Sequence, residues 1–208
     1  MAESKKNYRS FTGLKEFYYG ELDEATNAIV GSEAERIKFI QNIAIETPQE
    51  IVKAPGDNVI AEMAISTDAT TLTTTFHTLP IEDKKRLYGL KDIKGLTAVT
   101  GNPQPPYVAC MFARTNEKGG MEWIGFTKGM FMMPGIDGQT KEPGSVEFGT
   151  AETEGEFMSR EVDGLDEEVT YLIGFDEKGE TKQRDALYKA IFGVAHPDAG
   201  KETEPEGA

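Results

Sequence analysis

The chain has 208 residues, 38% hydrophobic and 28% charged, and its 36 acidic and 22 basic side chains give a formal charge of −14. That length supports one self-sufficient core, burying roughly 70% of the unfolded surface, while so acidic a balance leaves no basic footprint for gripping phosphate backbones. The apolar runs, such as 107–113, are too short to cross a membrane, the polar opening is not expected to be a secretory signal, and the lone Cys110 excludes an internal disulfide framework.

In chain order, residues 1–12 form a polar arm in which Tyr8 and Phe11 are the anchors. A domain is expected over 13–195. It begins with an aromatic-rich strand at 17–22 and a connection at 23–33. Strand character returns at 36–40, where Ile37 and Phe39 share a face that Ile43 and Ile45 continue. From 47 to 58 the prolines Pro48 and Pro55 and Gly56 predict a long excursion. Residues 59–66 alternate, and 71–79 are almost wholly β-branched or apolar, which suits a pleated, half-wet surface. Asp68 and Ala69 between these runs predict a turn and hence a hairpin. The stretch 80–89 has Pro80 and acids early, bases late and Gly89 at the stop, so it predicts a short helix.

Three prolines stiffen a loop at 102–106. Residues 107–114 and 122–131 predict a hairpin closed through 116–120, and 134–144 another loop. The most polar strand is expected at 146–158 and a short one at 169–175, with a loop at 163–168 between them. Ala186, Leu187, Ala190 and Ile191 have helical spacing within 182–192. Residues 196–208, with two prolines and four acids, are expected to be disordered. The sum is mainly antiparallel β with one short internal helix and one C-terminal helix.

No catalytic signature emerges. No two glycines lie two apart and no Gly-Lys-Ser/Thr occurs, so the phosphate-cradling loops are absent. His77 stands among threonines and His196 near the chain end, with no spacing that suggests a triad or a paired-histidine metal site. Cys110 lies in an apolar run, where a thiol is inert. No catalytic residue, metal or cofactor is therefore expected, and the chain is not expected to be an enzyme. Charge is concentrated instead: residues 147–177 hold eleven acidic side chains and one basic one. Within that window Glu152, Glu154 and Glu156 are spaced by two and project from one strand face, with Ala151, Thr153, Gly155 and Phe157 on the other. Three aligned carboxylates repel one another, so their face must be wet. It is either an ordinary solvent face or the wall of a channel.

The order and spacing of several blocks resemble the major tail proteins of long-tailed bacteriophages, the subunits that polymerise into the tail tube. These blocks are 13–20, 77–81, the helix ending Leu87-Tyr88-Gly89, 106–110 through Trp123, 126–131, and 145–150 ending at 155–157. The resemblance implies a β-sandwich or partial barrel flanked by a helix, assembled as homohexameric rings that stack into a hollow tube. DNA would pass through without specific binding. Tape measure, tail terminator and baseplate proteins are the implied partners, the virion tail the implied location after assembly in the host cytoplasm, and no membrane or cofactor is implied. On this footing Glu152, Glu154, Glu156, Thr71, Thr73 and Thr75 are expected to face the lumen. Pro48, Gln49, Glu50, Lys53, Pro55 and Asp57 of the excursion, with Tyr8 and Phe11 of the arm, are expected to contact other subunits. The ring protein of a type VI-like secretion or contractile injection system is the alternative. A β-sandwich ligand-binding module, which would expose aromatics on one concave face, is a third reading.

Overall fold

A computed structural model describes residues 9–56, 59–136, 138, 140 and 148–200. The described chain runs β1 (Phe11–Asp23), β2 (Ala28–Ile29), β3 (Glu35–Ile37), β4 (Ile40–Glu46), β5 (Gln49–Gly56), β6 (Val59–Thr67), β7 (Thr70–Phe76) and α1 (Ile81–Tyr88). It continues through β8 (Lys91–Ile93), β9 (Leu96–Ala98), β10 (Val108–Asn116), β11 (Met121–Met132), β12 (Ala151–Met158), β13 (Tyr171–Asp176) and α2 (Lys182–Phe192). The expected mainly antiparallel β fold with a short internal helix and a C-terminal helix is what forms.

Six strands lie in the order β1-β10-β11-β12-β7-β4, each pair antiparallel. Strand β3 returns to β1, with Phe17 opposite Ile37 and Tyr19 opposite Glu35. Only Lys38 and Phe39 separate β3 from β4, so one continuous stretch touches both ends of the strand order and curls the sheet back on itself. Phe39 makes the corner in a left-handed backbone conformation (φ 63°), and its carbonyl accepts a hydrogen bond of 3.0 Å from the His77 N–H.

The inside of the curl is aromatic. Phe17, Phe76, Phe112, Phe126, Phe131 and Phe157 are buried there, with the Phe126 and Phe157 rings 4.8 Å apart. Helix α1 plugs this interior with Leu87 and Tyr88, and the Tyr88 hydroxyl donates to Thr153 Oγ1 at 2.8 Å. Its dipole-matched charges are Glu82 and Asp83 in the first turn and Lys85 and Arg86 in the last, with Gly89 closing it at φ 62°.

A register shift between β10 and β11 lets β11 serve two layers. Trp123 and Gly125 face outward under Leu187, Tyr188, Ile191 and Phe192 of α2, whereas beyond the shift Phe131 points into the curl. The far edge of β11 is shared as well, its first half pairing with β13 and its second with β12. Helix α2 is capped by Asp176, whose carboxylate accepts from the backbone N–H groups of Gln183 and Arg184 at 2.8 Å each. Its last turn is closed by the buried Arg160, which donates to the Ile191 carbonyl at 2.6 Å and to the Asn27 carbonyl.

Several expectations need correction. The run 59–66 does not pair with 71–79: β6 pairs with β5, while β7 lies between β4 and β12. Asp68 and Ala69 are thus a joint between collinear strands and not a hairpin turn. Within the excursion expected at 47–58, Gln49–Gly56 form strand β5, with Pro55 beside a register shift and Gly56 at the strand's end, and residues 57 and 58 lie outside the described residues. Strand β1 starts at Phe11, inside the expected arm, and β12 starts at Ala151, after 148–150, while 146 and 147 lie outside the described residues. Residues 196–200 are packed, because His196 is buried between the Tyr18 and Tyr188 rings and Arg184 holds the Asp198 carbonyl at 2.7 Å.

Candidate functional site

Helix α2 covers the outer face of β10 and the first half of β11. The rest of that outer face, carried by β4, β7, β12 and the end of β11, lies beyond α2. Along β12, Glu152, Glu154 and Glu156 are exposed, while Thr153, Gly155 and Phe157 are buried, as the alternation requires. On β7, Thr71, Thr73 and Thr75 are half-buried between fully buried neighbours.

The register brings these two sets together. Glu152 lies opposite Thr75, Glu154 opposite Thr73 and Glu156 opposite Thr71. The rows extend across β4, with Asn42 beside Thr75, Ala44 beside Thr73 and Glu46 beside Thr71. On the other flank Met132 stands opposite Glu154 and Met130 opposite Glu156. The result is a four-stranded face of carboxylates, hydroxyls and thioethers. Lys128, near the end of β11, pairs with Glu24 at 3.2 Å and lies 4.1 Å above the Tyr107 ring, while Lys84 of α1 lines a recess that Glu152 also borders. Among the described residues no ion pair reaches Glu46, Glu152, Glu154 or Glu156. Four carboxylates on one sheet face form an anionic field, which disfavours the approach of polyanions.

The face is backed by tight packing. A Cβ on Gly129 would sit 2.4 Å from the Phe157 ring and 2.5 Å from the Glu156 carbonyl, so β11 and β12 meet where only glycine fits. Gly155 is nearly as crowded, against Phe131 at 2.8 Å.

The second unusual feature is the β5–β6 hairpin. Every described residue from Pro48 to Ala69 is exposed, including Ile51, Met63 and Ile65 at 60%, 64% and 69%. Ile51 lies opposite Ile65 and Lys53 opposite Met63, so these side chains share one apolar face. The hairpin prolongs the β4–β7 ribbon, and the Asp68 N–H donates to the Pro48 carbonyl at 3.1 Å across the joint. An isolated two-stranded ribbon is marginal in water, so this one needs a surface to lie on.

Of the expected contact residues, Pro48, Gln49, Glu50, Lys53 and Pro55 all lie on this hairpin or at its root. Tyr8 and Asp57 lie outside the described residues. Phe11 begins β1, where the Arg114 guanidinium covers its ring at 4.4 Å. Among the described residues no cluster of three His, Cys, Asp or Glu side chains could hold a metal ion. Cys110 is fully buried, and desolvation pushes its thiol well above the ordinary range, away from nucleophilic use. No helix among the described residues is long and apolar enough to cross a membrane.

The sequence reading missed the small β8–β9 tongue, whose turn is Lys94 (φ 54°) and Gly95 (φ 80°). The Lys-Gly pair between two short apolar runs was the signal for it. Neither a protein-family model nor a curated protein matches the chain.

Proposed function

We propose that this protein is a structural tube subunit of the kind that forms the tails of long-tailed bacteriophages, assembling with copies of itself around a bore through which DNA slides. The observation that carries this reading is the four-stranded face, where Glu46, Glu152, Glu154 and Glu156 share rows with threonines and methionines and, among the described residues, none of the four is in an ion pair. A sheet face this polar, backed by an aromatic core, suits the inner wall of a tube: rigid behind, wet in front and repellent to phosphate.

Three further features support it. The outward edge of β4 has only the brief approach of β1 beside it and can pair with a neighbouring subunit, which would resolve the hazard of an open strand edge. The projecting hairpin, with Pro48, Gln49, Glu50, Lys53 and Pro55, has the length and the apolar surface for a contact between rings. Six copies at −14 each bring −84 to a ring, of which the wall glutamates direct a share inward.

The test is negative-stain electron microscopy of the concentrated protein. Hollow filaments of even width or six-membered annuli, with residues 152–156 lining the bore in a reconstruction, are the expected result. A reconstruction with these glutamates on the outer surface would overturn the assignment of the wall.

A further inference from the structure

Four of the chain's eight methionines, Met130, Met132, Met133 and Met158, line one recess. It holds about 480 Å³ and lies where the end of β11 passes the loop of Pro103 and Pro105. Met130 and Met132 stand two apart on β11, and Met158 projects from the face of β12 that carries Glu154 and Glu156. Met130 lies opposite Glu156 and Met158 opposite Lys128, which makes Met130 and Met158 diagonal neighbours. Diagonal neighbours are about 7–8 Å apart and residues two apart on a strand about 7 Å, distances that pairs of long, unbranched methionine side chains bridge.

Filling a core does not account for this cluster. Met111, fully buried under α2, is what a packing methionine looks like in this chain, whereas Met132, Met133 and Met158 are 48%, 38% and 44% exposed. Among the described residues the recess has no imidazole or thiol in its lining, and the Tyr88 hydroxyl already donates to Thr153. The carboxylate of Glu156 borders it, and Lys128, across from Met158, is paired with Glu24.

We propose that Met130, Met132 and Met158 form a binding site for a soft monovalent cation, Cu(I) by preference. The site does not depend on the tube reading. Thioether sulfur is a neutral, polarisable donor of the kind Cu(I) takes, while Mg²⁺ and Ca²⁺ demand oxygen ligands and Zn²⁺ favours thiolate or imidazole. Each sulfur donates a lone pair to the metal, and nothing is oxidised or reduced. Glu156 supplies the negative charge that one bound monocation balances. Because a thioether carries no proton to displace, binding here is insensitive to pH, unlike binding at a cysteine or histidine.

The test is anaerobic equilibrium dialysis of the full-length protein against Cu(I) buffered by a competing chelator, with X-ray absorption at the copper edge. Both readouts serve whether the protein is single or assembled. One Cu(I) per chain in a sulfur-dominated shell is expected, with affinity unchanged between about pH 6 and 8. Met130→Leu/Met158→Leu keeps the side-chain volume and should weaken binding at least about tenfold. Met132→Leu, at an exposed position, makes the same test should the double variant fold poorly, and Met63→Leu on the β5–β6 hairpin should bind as the wild type does. Failure to retain Cu(I), equal retention by the leucine variants, or a shell without sulfur would overturn the proposal. Affinity that falls steeply with pH would also overturn it, by placing the metal on Cys110 or a histidine, and equally tight Zn²⁺ at the same residues would refute the preference for a soft ion.

Discussion

At the scale of single residues, the barrel depends on positions where one atom decides the packing. Gly129 shows this most sharply, because the atoms a methyl group would strike include the Glu156 backbone carbonyl, which cannot rotate away. Gly125 is crowded too, but by the side chain of Ile191 at 2.6 Å, which has rotamers to spare. Gly129→Ala is therefore expected to destabilise by about 2–3 kcal/mol and Gly125→Ala by about half that. For a chain of this size the first corresponds to a loss of roughly 5–10 °C in melting temperature, and calorimetry of the two variants checks the order. His196 is a residue of another kind. Its ring is buried between Tyr18 and Tyr188, its Nδ1 accepts from the Asp198 N–H at 3.0 Å, and its Nε2 has no partner. Burial first, and then the nearby Arg184, hold its pKa below 6.5, with Arg36 acting in the same sense and Asp185 and Asp198 opposing. The unfolded chain therefore takes up this proton more readily than the folded one. The stabilisation from a neutral His196 is complete above the unfolded value near 6.5 and is lost as pH falls through the folded one. Melting temperature should decline from pH 7 to 5.5, and more gently in His196→Phe, which keeps the ring contacts and removes the titration. Parallel declines in the two proteins would exclude His196 as the cause.

Elements differ in how far the chain alone announces them. Strand β12 was legible because Glu152, Glu154 and Glu156 alternate with Thr153, Gly155 and Phe157, and one period-two pattern sorts wet from dry. The β10–β11 hairpin was legible because Asn116, Gly119 and Gly120 mark its turn; in the structure Asn116 Oδ1 accepts from the N–H groups of Lys118 and Gly120. Both helices carry their stop signals, Gly89 and Gly193, each left-handed at the cap. What stayed hidden was partner choice. Strand β6 alternates as well as any other, but nothing in residues 59–66 says whether they pair backward with β5 or forward with β7, and Pro55 with Gly56 made the true partner look like a loop. The closure through β3 and β4 was equally silent, since it turns on a left-handed Phe39 where a bulky residue rarely adopts that conformation. The corrected hairpin is a separable element. Because the Asp68 N–H already meets the Pro48 carbonyl, residues 49–67 can be replaced by Asn-Gly as a tight turn. Among the described residues this excision removes only exposed side chains, and it should shift the melting temperature by no more than about 2 °C. It should nevertheless abolish extended tubes in negative stain. Normal tubes from the excised protein would mean that ring stacking does not use the hairpin.

At the scale of the whole molecule, the distribution of charge is the property to explain. Surface carboxylates scattered singly would keep the protein soluble and do nothing more. Here three of them are locked into adjacent cross-strand rows, with Glu46 two strands away, on a sheet face beyond the reach of α2. Arranged around a bore, such faces superpose their fields, and DNA at the axis meets repulsion from every side and adheres to none. On the proposed tube reading, reversing the face should convert the bore from slide to trap. Glu152→Lys/Glu154→Lys/Glu156→Lys changes the chain from −14 to −8 and leaves the buried side of β12 untouched. Tubes of this variant are expected to retain a short DNA duplex at low salt, measured by fluorescence anisotropy, where wild-type tubes retain none. Retention should weaken steeply as salt rises, with a log–log slope of about −0.9 for each phosphate neutralised, because release of counterions drives it. Should both proteins ignore the duplex at every salt concentration, the face is not what DNA encounters, since three new lysines in a confined passage could not go unnoticed by a polyanion.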